Sequence, residues 1–130
     1  MSDSTLETAD TDANRLFRAK IVRLIFAGHT EQALHLLSVH YGIKEPDLRV
    51  GTVKRHRNVA GCYVHKEKRI YLSKGEYLTN PFLILHEFYH HLRASQASGR
   101  GQVDKRADLF ALSFIRDFMS RSDPCGSGSR

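Results

Sequence analysis

A change of hydrophobic period along the chain predicts an α+β fold: two N-terminal helices, a three-stranded, mainly antiparallel sheet, and two further helices. Three observations carry this. Apolar residues recur at helical spacing from Leu16 to Tyr41, short β-branched and aromatic runs take over between Leu48 and Leu72, and helical spacing returns from Pro81. With 130 residues, 41% of them hydrophobic, the chain has enough material for one domain with a modest core.

Taken in order, residues 1–11 read as a mobile polar leader, residues 12–119 as the domain, and residues 120–130 as a flexible tail. Asp12 is a candidate N-cap for a helix whose stripe is Leu16, Phe17, Ile21, Leu24 and Ile25, ending near Gly28. Thr30 is the candidate cap of a second helix, with Ala33, Leu34, Leu37 and Tyr41 inward and Gly42 as its stop. His29, His35 and His40 fall here without ligand spacing and read as surface or packing residues. After the turn at Glu45-Pro46-Asp47, Leu48 to Val50 with Thr52-Val53 forms a first strand, Val59 to Val64 a second, and Arg69 to Leu72 a third. The basic segment Lys54 to Asn58 joins the first two, and His65 to Lys68 joins the next. Asn80 caps the next helix, with Pro81 at its first position, and that helix runs to about Arg93. A small-residue loop from Ser95 to Gly101 leads to a last helix, Val103 to Met119, with Ala107, Phe110, Ala111, Phe114 and Phe118 inward.

Composition narrows the class. Cys62 and Cys125 lie far apart, so neither a disulfide framework nor a cysteine metal site is suggested, and a reducing compartment fits. No signal-peptide pattern opens the chain and no apolar run approaches membrane-spanning length; a cytoplasmic protein without a membrane partner is expected. The net charge of +6 is uneven, because the first 13 residues hold four acids and no base, leaving twenty bases against ten acids in the rest. Such a body can attract nucleic acid or acidic substrates, or present an ordinary solvated surface.

The chemistry is concentrated in Pro81 to Leu92. A helix there places His86 and His90 one turn apart on one face, a spacing at which two imidazoles hold one zinc ion, and Glu87 beside them reaches a metal-activated water. This is the HExxH pattern. Its competing reading is a core helix whose histidines are satisfied by hydrogen bonds. A catalytic zinc site needs a third protein ligand, and Asp104 and Asp108, at i and i+4 in the last helix, are the candidates. One can bind the metal while the other hydrogen-bonds the far nitrogen of a ligand histidine; the competing reading is a helix-dipole carboxylate beside a solvated one.

HExxH followed on the next helix by Asp104-Lys-Arg-Ala107-Asp108-Leu-Phe-Ala111 resembles the ExxA(D/N)xxA pattern of the gluzincins. The chain is similar to their small soluble forms, the minigluzincins and the ImmA/IrrE-type metallopeptidases, over residues 48–118. Ala60-Gly61-Cys62-Tyr63, Ile70-Tyr71-Leu72 and Ala107-Asp108-Leu109-Phe110-Ala111 add to the likeness. The resemblance implies a small zincin-like domain, one catalytic Zn2+ on His86, His90 and an acidic third ligand, and peptide hydrolysis with Glu87 as general base. It aligns Asp104 with a family glutamate, so this chain's ligand is one methylene shorter, and leaves Asp108 to orient a histidine.

From this reading the strand Arg69, Ile70, Tyr71, Leu72 is the expected sheet edge for an extended substrate. Tyr77, Tyr89, His91 and His65 are candidates to stabilise an oxyanion. Cys125 is a further candidate to occupy the metal's open position, against the plainer reading of an incidental thiol in the tail. Two rival functions stay open: a basic nucleic-acid-associated regulator using the turns at 54–57 and 66–69, and an inert zincin-like module.

Overall fold

In the computed structural model, which describes residues 11–51, 59–95 and 103–127 and, of their side chains, those at 11–51, 59–95 and 104–120, the fold is α+β with four helices and a three-stranded mixed sheet. The elements are α1 (Asp12–Phe26), α2 (Thr30–Tyr41), β1 (Asp47–Val50), β2 (Gly61–Val64), β3 (Arg69–Leu72), a 3-10 turn (Gly75–Thr79), α3 (Pro81–Ser95) and α4 (Val103–Ser127). None of the described helices is long and apolar enough to cross a membrane.

Helix ends follow local chemistry, with shifts of one residue. The cap of α1 is Thr11, whose hydroxyl accepts from the Asn14 N–H at 3.0 Å, and Asp12 is the first helical residue. Thr30 does not cap α2: buried, it donates to the Leu78 carbonyl at 2.5 Å and ties the helix start to the 3-10 turn. Gly42 ends α2 in the left-handed conformation (φ 68), which costs a side-chain-free residue little. Replacing Thr11 with Ala is expected to lower stability by about 1 kcal/mol, read as a drop in the urea midpoint at constant slope.

The strand order is β1-β3-β2. β2 pairs antiparallel with β3 across the turn at 65–68, while β1 pairs parallel with β3, Leu48 opposite Ile70. The sheet is therefore evenly mixed, not mainly antiparallel, and β3 is its centre. The reason lies in burial. Ile70 and Leu72 are fully buried, whereas β1 is largely exposed and β2 half-buried, so the most buried strand takes the middle. Thr52, Val53 and the basic segment at 54–57 lie outside the described residues.

One cluster of buried side chains joins all four helices to β3, with Phe88, Phe114, Ile21 and Leu37 among its largest members. α4 packs on both α1 and α3. On the α3 side its stripe includes Ala107 and Ala111, both fully buried, and such small contacts let two helices approach closely. α4 also runs on to Ser127, past the end expected at Met119 and through part of the expected tail. Pro124 and Gly126, both poor helix formers, are what place the end earlier from sequence.

Candidate metal centre

α3 is aimed by its own sequence. Asn80 Oδ1 accepts from the Leu83 N–H at 3.1 Å and Pro81 supplies a first residue that needs no donor, so the start of the helix is fixed. Ile84, Leu85, Phe88 and Leu92 bury one face, which turns His86 and His90 towards α4. α4 returns antiparallel, bringing Asp104 opposite His90 and Asp108 opposite His86.

Three donor atoms meet there. His86 Nε2 lies 3.3 Å from His90 Nε2, His90 Nε2 lies 3.0 Å from Asp104 Oδ1, and His86 Nε2 lies 3.6 Å from the same oxygen. Among the described residues His86, His90 and Asp104 are the group able to hold a metal ion. The shorter acid reaches from a helix whose buried stripe includes the small residues Ala107 and Ala111. Asp104 is 85% exposed, so the metal face opens to solvent on this side. Asp108 stands behind the group, its Oδ1 2.9 Å from His86 Nδ1. Accepting that N–H makes His86 the Nδ1-protonated tautomer and leaves its Nε2 lone pair facing Asp104 and His90.

Glu87, on the next position of α3, is only 6% exposed. Burial pushes its carboxyl up to about 7, with the nearby His86 opposing that rise and Asp104 adding to it. Burial also lowers the pKa of His90, and the neighbouring His86 lowers it further, so the neutral, ligating form is favoured. His86, Glu87, His90 and Asp104 line one side of an open cleft of about 510 Å³. The opposite wall is β2 and its ends: Val59, Gly61, Cys62, Tyr63 and His65.

The expected substrate edge needs correcting. Arg69, Ile70, Tyr71 and Leu72 form the central strand, paired on both sides, so no chain can add to them. The edge facing the cleft is β2. The Ser73 N–H bonds the Ala60 carbonyl, and alternation along an antiparallel ladder then directs the backbone groups of Gly61 and Tyr63 away from β3. Of the four oxyanion candidates, only His65 lines the cleft, exposed at the end of β2. Tyr77 packs on the core and Tyr89 lies against Phe110 with ring centroids 5.1 Å apart.

His91 is fully buried and both its ring nitrogens are engaged, with the Tyr63 hydroxyl at 2.6 Å and the Lys44 carbonyl at 2.7 Å. Burial lowers its pKa, the bond to Lys44 notwithstanding. Sequence reasoning overlooked Tyr63 and Cys62 as cleft residues; the run from Ala60 to Tyr63 was visible, but its position beside the histidines depends on strand order. Burial, with Glu87 close by, raises the Cys62 thiol's pKa, which keeps it in its less nucleophilic protonated form. In the basic turn at 66–69, Arg69 is engaged by Glu67, Asp47 and the Tyr71 hydroxyl. The side chain of Cys125 lies outside those described. No protein-family model, curated protein or solved structure matches the chain.

Proposed function

We propose that this chain is a zinc-dependent peptidase with a small zincin-like domain, using His86, His90 and Asp104 as ligands and Glu87 as general base. The observation that carries it is the meeting of two imidazole nitrogens and one carboxylate oxygen beside a buried carboxyl in an open cleft. The donor set fits the ion. Ligands about 2.0–2.1 Å from a tetrahedral zinc stand about 3.3–3.4 Å from one another, and the three separations here are 3.3, 3.0 and 3.6 Å.

When bound, zinc supplies a Lewis acid that polarises a carbonyl and makes water a stronger acid. The chain's own groups do the rest. Asp108 holds the tautomer of His86. Glu87, in its ionised form, takes a proton from the attacking water and delivers it to the nitrogen of the leaving amine, so that water and a peptide bond become a carboxylic acid and an amine. A cation nearby favours the ionised carboxylate that this step requires. An extended peptide pairs with the outward backbone groups of Gly61 and Tyr63 on β2, which aligns it across the cleft.

Zinc titration with competing chelator tests the site. One equivalent is expected for the wild type, no stoichiometric zinc for His90→Ala, and affinity for Asp104→Ala weakened at least as much as for Asp108→Ala, which is expected to lose about 10- to 100-fold. Wild-type protein that takes up no zinc, or an Asp104→Ala variant that binds it unchanged, sinks the assignment. Peptide cleavage by zinc-loaded protein then decides between enzyme and inert module.

A further inference from the structure

We infer that His91 is a positioning residue which, through Tyr63, sets the separation between the substrate-pairing edge and the metal ligands; this rests on the reading of β2 as that edge. Tyr63 is the residue at which the two meet. Its backbone groups face away from β3, on the side of β2 that pairs with no strand among the described residues, while its hydroxyl reaches back to His91 Nδ1 at 2.6 Å. The bond has one direction. His91 Nε2–H donates to the Lys44 carbonyl at 2.7 Å, so Nδ1 carries the lone pair and the Tyr63 hydroxyl must donate to it. The rings also meet edge to face, with centroids 5.3 Å apart.

His91 directly follows the ligand His90 on a helix held in the core by Phe88 and Leu92. A displacement of Tyr63 relative to His91 is therefore a displacement relative to the metal group. β2 also packs on α3 at its start, where a Cβ on Gly61 would lie 3.2 Å from Leu83 Cδ1, so the strand is close-packed there. At Tyr63 packing alone gives area without a fixed distance, whereas a hydrogen bond fixes both distance and direction. The same hydrogen-bonded chain, ending on the Lys44 carbonyl, links β2 and α3 to the segment that enters β1.

Tyr63→Phe tests this, because it keeps the ring and removes only the donor. For the zinc-loaded variant, one equivalent of zinc, a KM for peptide within about two-fold of wild type and a kcat lowered about ten-fold are expected, the pattern of a substrate that binds but sits misplaced. Amide hydrogen exchange at Cys62 and Val64, whose N–H groups pair with β3, is expected to speed up. An unchanged kcat, or a zinc content that falls with it, overturns the inference. Unchanged exchange at these amides overturns it whether or not any peptide is cleaved. Absence of cleavage by the wild type, with exchange faster in the variant, counts against the peptidase reading instead.

Discussion

Replacing Glu87 with Gln is expected to lower kcat by about two to four orders of magnitude while one equivalent of zinc stays bound. Gln matches Glu in shape and cannot take up a proton, so the change isolates the proton transfer. Glu87 is not among the converging donor atoms, and its burial at 6% exposure excludes a role as a surface charge. Its position beside His86 and within the cleft lining is that of a group acting on what the metal holds. Zinc analysis and single-substrate kinetics on the same preparation separate the outcomes. Unaltered kcat would move the base elsewhere in the cleft, with His65 the next candidate. Loss of zinc would make Glu87 part of the binding set and remove its assigned role. A wild type that binds zinc and cleaves nothing would leave an inert module as the reading.

The parts of this site that were legible in sequence are those governed by local geometry. The His86–His90 spacing depends only on the helical repeat, and the Asn80-Pro81 start depends only on which residues satisfy the first turn. Asp104 was legible too, because a glycine-rich loop between two apolar-striped helices leaves few ways to pair them. The strand order was not. Arg69 to Leu72 looks like an edge when only its neighbours in sequence are considered, and it becomes the centre because β1 reaches it from more than twenty positions earlier in the chain. Nothing local in Leu48 to Val50 selects β3 over β2, since either pairing keeps the same alternation of side chains.

The aromatic candidates failed for a related reason. Tyr89 and His91 flank His90 in sequence, yet a helix turns about 100° per residue, so neighbours point to different surroundings: Tyr89 to Phe110 and His91 to Tyr63. The residues that do face the metal group from the other side, Gly61 to Tyr63, belong to a strand whose proximity is a property of the whole fold. Local rules thus found the side chains that converge at the candidate metal centre, and missed the wall that completes the cleft.

The same Glu87→Gln substitution that removes activity is expected to stabilise the metal-free protein at alkaline pH, by up to about 3 kcal/mol, and to leave it little changed near pH 4. The sign follows from where the proton sits. Glu87 has a folded-state pKa of about 7 against an ordinary value of 4.5, because burial disfavours its charge. Between those values the folded protein binds more protons than the unfolded chain, so stability falls as pH rises through the window and the loss is complete above about 7.5. His90 and His91, both with lowered pKa, work in the other direction: they favour the unfolded state as pH falls below the ordinary histidine value of 6.5. These histidines are common to both proteins, so the difference between wild type and variant reports the Glu87 carboxyl together with its coupling to His86. Urea unfolding of both proteins, in chelator, at several pH values from 4 to 9 gives the curve directly. Adding zinc should shrink the gap, since a cation beside the carboxylate restores the favourable charge that burial took away. A gap that is flat across this range would mean that Glu87 titrates normally, and the buried, metal-facing carboxyl on which the mechanism depends would be lost with it. A gap of the expected sign, closing on zinc addition, would place the same carboxylate within the field of the ion without any measurement of cleavage.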